Sequence, residues 1–237
     1  MSARTSGRII GALLLLAFLV YGGGSLLAAS VTGSTVVLSD VLGSEDRLTA
    51  GALLMLLNAG IVLGIGATAY PVLTRHSPVT ATAYVLTRGF EAALLAAGAV
   101  LLLTLVPLAA EQSGSGDQQL AALARVLQQA SLDAYWVAMV GLSLGSLAFC
   151  AALFRARLVP RPIAAWGFAG YVLLAVGGVL ELFGYGVGLL LGAPGGVFEA
   201  TLGVLLLLKG FPEGQHQDTA AAAAPVPAAG LRSPVLV

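Results

Sequence analysis

Four ionisable side chains lie in stretches that are otherwise apolar: Arg88, Glu91, Glu181 and Glu199. Arg88 and Glu91 stand one helical turn apart in the run Thr87-Arg88-Gly89-Phe90-Glu91, and Asn58 adds an amide in another apolar stretch. Burying such a group in lipid costs at least ~2.5–3.5 kcal/mol on insertion scales, so each is a candidate for a role. A helical rise of about 1.5 Å per residue puts Asn58 and Glu199 each about 15 Å from an end of its stretch, and Glu91 one turn deeper than Arg88. Asn58, Arg88, Glu91 and Glu199 therefore define a candidate polar cluster that could bind a polar group or pass a proton. The same residues also admit an architectural reading, in which Arg88 pairs with Glu91 or Glu199 to hold helices in register. Interhelical polar contacts in lipid average only about 0.6 kcal/mol, and a three-residue spacing of opposite charges is ordinary in any helix. Glu181 lies nearer a stretch end, where a headgroup position is expected.

Other chemistries find little support. His76 sits beside Arg75 in a loop and His216 near the C-terminus, so the three or four converging ligands of a zinc site are not in view. Ser143 and Ser146 have no histidine partner in an apolar stretch, which speaks against a serine-type protease. The run Gly22-Gly23-Gly24 lacks the strand-then-helix setting of a phosphate loop and reads as a packing or kink feature. Cys150 is the sole cysteine, so no intrachain disulfide can form. Tyr135, Trp136 and Trp166 read as interfacial anchors. The expectation is a non-enzymatic protein with no metal and no cofactor.

The elements that must position these residues are helices in a bilayer. Charged residues are 9% of the chain and hydrophobic ones 58%, with a mean hydropathy of +0.96. A soluble domain carries about 25% charged residues. Too little charge remains to coat a water-facing surface, so the lipid bilayer is the expected solvent. A net charge of zero offers no basic field for nucleic acid. The fold class is all-α: a polytopic transmembrane bundle of six spans within residues 1–210. The spans fall at about 9–29, 48–73, 84–108, 135–154, 163–191 and 194–208. The fifth is long enough to tilt, and the sixth is short enough to need Lys209 to snorkel.

The loop from Ser30 to Arg47 reads as polar. Leu120, Leu123, Val126 and Leu127 recur at helical spacing among glutamines, which predicts a separate amphipathic surface helix over about 118–130. Residues 211–237 turn to Gly, Gln, Ala and Pro and read as a disordered cytoplasmic tail. Arg4 and Arg8 before the first apolar run, with Leu26-Leu27-Ala28-Ala29-Ser30 after it, also fit a cleavable signal peptide. That run exceeds the usual core of about 7–15 residues, so a retained first helix is expected. Arg75, Arg155, Arg157, Arg161 and Lys209 fall on the side of Arg4 and Arg8, whereas the other side receives Arg47 and Arg125. The positive-inside rule then places both termini in the cytoplasm and the protein in the inner (plasma) membrane.

Several motifs recur in an order that can be matched as a set. They are Arg8-Ile9-Ile10-Gly11-Ala12-Leu13, Arg88 with Glu91, Leu158-Val159-Pro160-Arg161 followed by Trp166-Gly167, and Glu199 leading to Leu208-Lys209-Gly210. On these the chain resembles the bacterial membrane proteins of the domain-of-unknown-function 4386 family, from about Arg8 to Gly210. The resemblance implies a six-span helical protein that keeps its first helix, and it supplies no activity. The function expected from the residues is binding or moving a small or lipidic molecule at a cavity near Glu91 and Glu199. The alternative is a structural or regulatory component that acts through partner helices.

Overall fold

In the computed structural model, which describes residues 2–212, eight helical segments follow one another without a strand among the described residues. They are α1 (Ala3–Thr32), α2 (Leu38–Leu42), α3 (Glu45–Leu73), α4 (Pro78–Leu103), α5 (Leu105–Ser115), α6 (Gln119–Arg155), α7 (Arg161–Leu182) and α8 (Gly188–Lys209). Six helical stretches are long and apolar enough to cross a membrane, α4 and α5 counting as one. Even the shortest, of 22 residues, reaches about 33 Å at 1.5 Å per residue, enough for a hydrocarbon core of about 30 Å.

The long helices form a closed ring. α1 packs on α3, α3 on α4, α4 on α6, α6 on α7, α7 on α8, and α8 returns to α1. Each helix runs opposite to its neighbours, so both ends of the described chain lie on one face, called here the termini face. Glycines allow the staves to approach. A Cβ on Gly24 would stand 2.7 Å from the Gly51 carbonyl oxygen, and one on Gly51 would stand 2.7 Å from that of Gly24. Gly170 and Gly195 meet in the same manner between α7 and α8, and Gly11 lies against Gly203 and Leu207 where α8 closes on α1. In lipid, where burial alone does not drive association, such backbone contact supplies the packing energy.

Several boundaries differ from those expected. The turn between the last two spans falls at Phe183–Val187, so the fifth span ends at Leu182 and the sixth begins at Gly188 rather than near Pro194. Gly184 (φ 83°) and Gly186 (φ 66°) take left-handed conformations that glycine adopts without steric cost, and they end α7 within an apolar run. Pro194 is carried inside α8. The expected surface helix over 118–130 is instead the first part of α6, which runs unbroken for 37 residues. Asp133 accepts a hydrogen bond from Gln129 Nε2 one turn earlier at 2.8 Å and is carried along the helix.

The third span breaks after Leu103, where Pro107 has no N–H for the Leu103 carbonyl, and continues as α5. The loop from Ser30 to Arg47 is not wholly polar in its setting. Val36, Leu38 and Val41 are buried with Leu102 and Leu105 in a second apolar cluster opposite the termini face. Gln128 fastens this cap to α6, accepting from Val36 N at 2.9 Å and donating to the Gly33 carbonyl at 3.1 Å. Phe211, expected in the tail, is 2% exposed and belongs to the main core. The rest of that expected tail, from residue 213, lies outside the described residues.

Candidate functional site

Arg88 projects from α4 into the centre of the ring and is only 3% exposed. All three guanidinium nitrogens have a partner. Nε donates to the Tyr84 hydroxyl at 3.1 Å. Nη1 donates to Glu91 Oε2 at 3.0 Å. Nη2 lies 3.7 Å from Glu199 Oε1 on α8. Glu199 Oε1 also accepts from the Tyr171 hydroxyl on α7 at 2.5 Å. The tyrosines are themselves fixed by packing: Tyr84 stacks on Phe149 at 4.5 Å and Tyr171 stands edge-on to Phe198 at 5.8 Å between centroids. Arginine suits the position because its planar fork serves several acceptors at once and stays charged when buried.

A cavity of about 190 Å³ lies beside this network. Asn58, Arg88, Glu91 and Glu199 all line it, so every member of the cluster expected from the sequence reaches one space. The Asn58 side chain on α3 is 4% exposed, and its amide oxygen is buried without a hydrogen-bond partner. Across from the charges, Tyr21 of α1 and Tyr135 of α6 stack at 5.4 Å with 17° between their planes. Both tyrosines line the cavity. Leu14, Val62, Leu95 and Leu142 give it apolar walls, and Phe18, 42% exposed, carries the α1 wall to the outside of the ring.

The remaining candidates have other surroundings. Glu181 does not line the cavity; its Oε2 accepts from Gly188 N at 2.7 Å and so satisfies a free N–H at the start of α8. Tyr135 and Trp136 are not at the beginning of their helix, since α6 starts sixteen and seventeen residues earlier at Gln119. Tyr135 faces the cavity, and the Trp136 ring lies against Gly188. Ser143 donates to the Met139 carbonyl of its own helix at 2.7 Å. Cys150 is buried and unpaired. Among the described residues no group of three or more His, Cys, Asp or Glu side chains is placed to hold a metal ion.

Tyr84, Tyr171 and Tyr21 were not singled out by the sequence. Tyr84 had a usable signal, standing one turn before Arg88 on the same face. For Tyr171 and Tyr21 the contact depends on ring closure, which spacing along one helix does not reveal.

A ring of six long apolar helices around a buried charged cluster defines a multi-span helical membrane protein. The chain's place within that class is given by the family described as "Domain of unknown function (DUF4386)", whose profile matches residues 9–210; the chain belongs to this family. No curated protein and no solved structure gives a significant match.

Proposed function

We propose that this protein binds a small or lipidic molecule in the central cavity, with Asn58, Arg88, Glu91 and Glu199 as its polar contacts. The observation that carries this reading is the Asn58 amide oxygen, buried beside an open space without a donor. An unsatisfied buried acceptor costs about 1–3 kcal/mol, and a ligand that donates to it recovers that energy. The mixture of apolar walls with a few convergent polar groups is also what a ligand pocket requires. Phe18 at the outer edge of the wall supports access from the lipid side.

A second reading is favoured by a different observation. Arg88 is held by Tyr84, Glu91 and Glu199 together, as internal glue would be in a structural or regulatory component acting through partner helices. That reading accounts for the ion pairs but leaves the cavity and the free amide unused. We further place both termini in the cytoplasm and the ring in the plasma membrane, because Arg4, Arg8, Arg75, Arg155, Arg157, Arg161 and Lys209 gather at the termini face.

The deciding experiment identifies small molecules and lipids that co-purify with the wild-type protein and with the Glu91→Gln/Glu199→Gln variant. A species retained by the first and lost from the second is expected. Equal recovery of every species would remove the case for a carboxylate-lined site.

A further inference from the structure

We propose that the ligand of this cavity carries a single ammonium group on an apolar body, and that it enters in exchange for one proton. This rests on the binding reading above and adds the charge of the ligand to it.

The charges at the site do not balance. One guanidinium, Arg88, faces two carboxylates, Glu91 and Glu199. The other titratable groups around them are Tyr21 from α1, Tyr84 from α4, Tyr135 and Cys150 from α6, and Tyr171 from α7. α3 contributes only the Asn58 amide. None of these supplies a second positive charge, so with both carboxylates ionised the site holds one net negative charge in a setting shielded from water. Such a charge is costly unless compensated. A proton compensates it in the empty cavity, and a monovalent cation can replace that proton.

The unused groups at the cavity select the same ligand. The Arg88 charge is already faced by Glu91 and Glu199, so a phosphate or carboxylate ligand would add a further negative charge beside two carboxylates. The Asn58 oxygen is an acceptor without a donor, and the stacked pair Tyr21 and Tyr135 also lines the space. An ammonium group offers three donors to acceptors of this kind and is attracted to aromatic faces. Leu14, Val62 and Leu95 accommodate the apolar body. When the ammonium binds, the proton leaves the carboxylate for bulk water and the total charge within the site is unchanged.

The test uses the full chain in phosphatidylglycerol nanodiscs, with empty discs as the blank, and three probes with the same tail: hexylammonium, hexanol and hexanoate. Calorimetry in buffers of different ionisation enthalpy gives both affinity and protons released. Hexylammonium is expected to bind at least about tenfold more tightly than either other probe, releasing about one proton per molecule bound. Glu91→Gln and Glu199→Gln are each expected to abolish the release. The wild-type probe series decides the matter alone if either variant fails to fold.

Equal binding of all three probes, or ammonium binding without proton release, would overturn this inference while leaving the cavity as a binding site. Failure of every probe to bind would overturn both. Addition of phosphatidylethanolamine to the disc distinguishes the source of the ammonium. Competition with hexylammonium identifies a lipid headgroup, and absence of competition identifies a free amine; either result supports the ammonium assignment.

Discussion

Arg88 on α4 and Glu199 on α8 meet across the centre of the ring, with 3.7 Å between the guanidinium and the carboxylate. The two helices have different long neighbours, α3 and α6 for one, α7 and α1 for the other. The contact is therefore a strut through the interior rather than a bond between adjacent staves. Replacing Arg88 by Ala leaves Glu91 and Glu199 buried without their cation. Stability is expected to fall by about 3–5 kcal/mol, read as the shift of the unfolding transition in detergent. Adding Glu91→Gln and Glu199→Gln to an Arg88→Met background should restore most of the loss. An Arg88→Ala protein as stable as wild type would show that the pairs contribute nothing to the fold.

Gly22 gives a way to fill the cavity without disturbing the frame. It lines the space, and a Cβ built on it meets no atom within 4 Å. Gly22→Leu should therefore abolish retention of the co-purifying species. Thermal stability should be unchanged or raised, since Leu is preferred over Gly in a helix by about 0.5–1 kcal/mol. Retention of the full ligand complement by a stable Gly22→Leu protein would place the ligand elsewhere.

Glu181 is expected to act on stability alone. Its carboxylate satisfies the Gly188 N–H at the first turn of α8 and takes no part in the cavity lining. Glu181→Ala should cost about 1 kcal/mol, as loss of a helix cap does, and Glu181→Gln should recover most of it. Co-purified species should be the same for all three proteins. A change in them would assign Glu181 a share in binding.

The topology is testable by labelling. Asp117 and Arg157 flank α6 at opposite ends of a 37-residue helix, and the native Cys150 is buried. In intact cells an impermeant thiol reagent should label Asp117→Cys and leave Arg157→Cys untouched. The reverse pattern would invert the proposed orientation, and labelling of both would refute the six-span order.

Much of this arrangement was legible in the sequence because lipid imposes simple rules. Long apolar runs give the number of spans, and a fixed rise per residue places Asn58, Glu91 and Glu199 at compatible depths. The turn between α7 and α8 was harder to see. Val187 to Leu191 continues the apolar run, so hydropathy did not mark an end that two left-handed glycines create. Tyr135 reads as an interfacial anchor for a related reason. Asp133 and the neighbouring aromatics resemble a membrane boundary, yet the helix had begun at Gln119 and Asp133 found its partner within it. The Tyr21–Tyr135 pair was not legible at all, since the two residues belong to helices separated by two others in the ring order. Its existence follows from how the ring closes.

That closure imposes an order on biosynthesis. The seam between α1 and α8 is sealed by Gly7 and Gly11 on one side and by Gly203, Leu207 and Phe211 on the other. These partners stand at opposite ends of the described chain, so α1 must wait in the bilayer, its small-residue face open to lipid, until every other span has been threaded. Glu199 arrives with that last span. The ribosome thus delivers the second carboxylate and the keystone helix together, and a nascent chain stopped before α8 leaves Arg88 without Glu199 and the glycine face of α1 without its partner, two marks by which membrane quality control could tell an unfinished ring from a finished one.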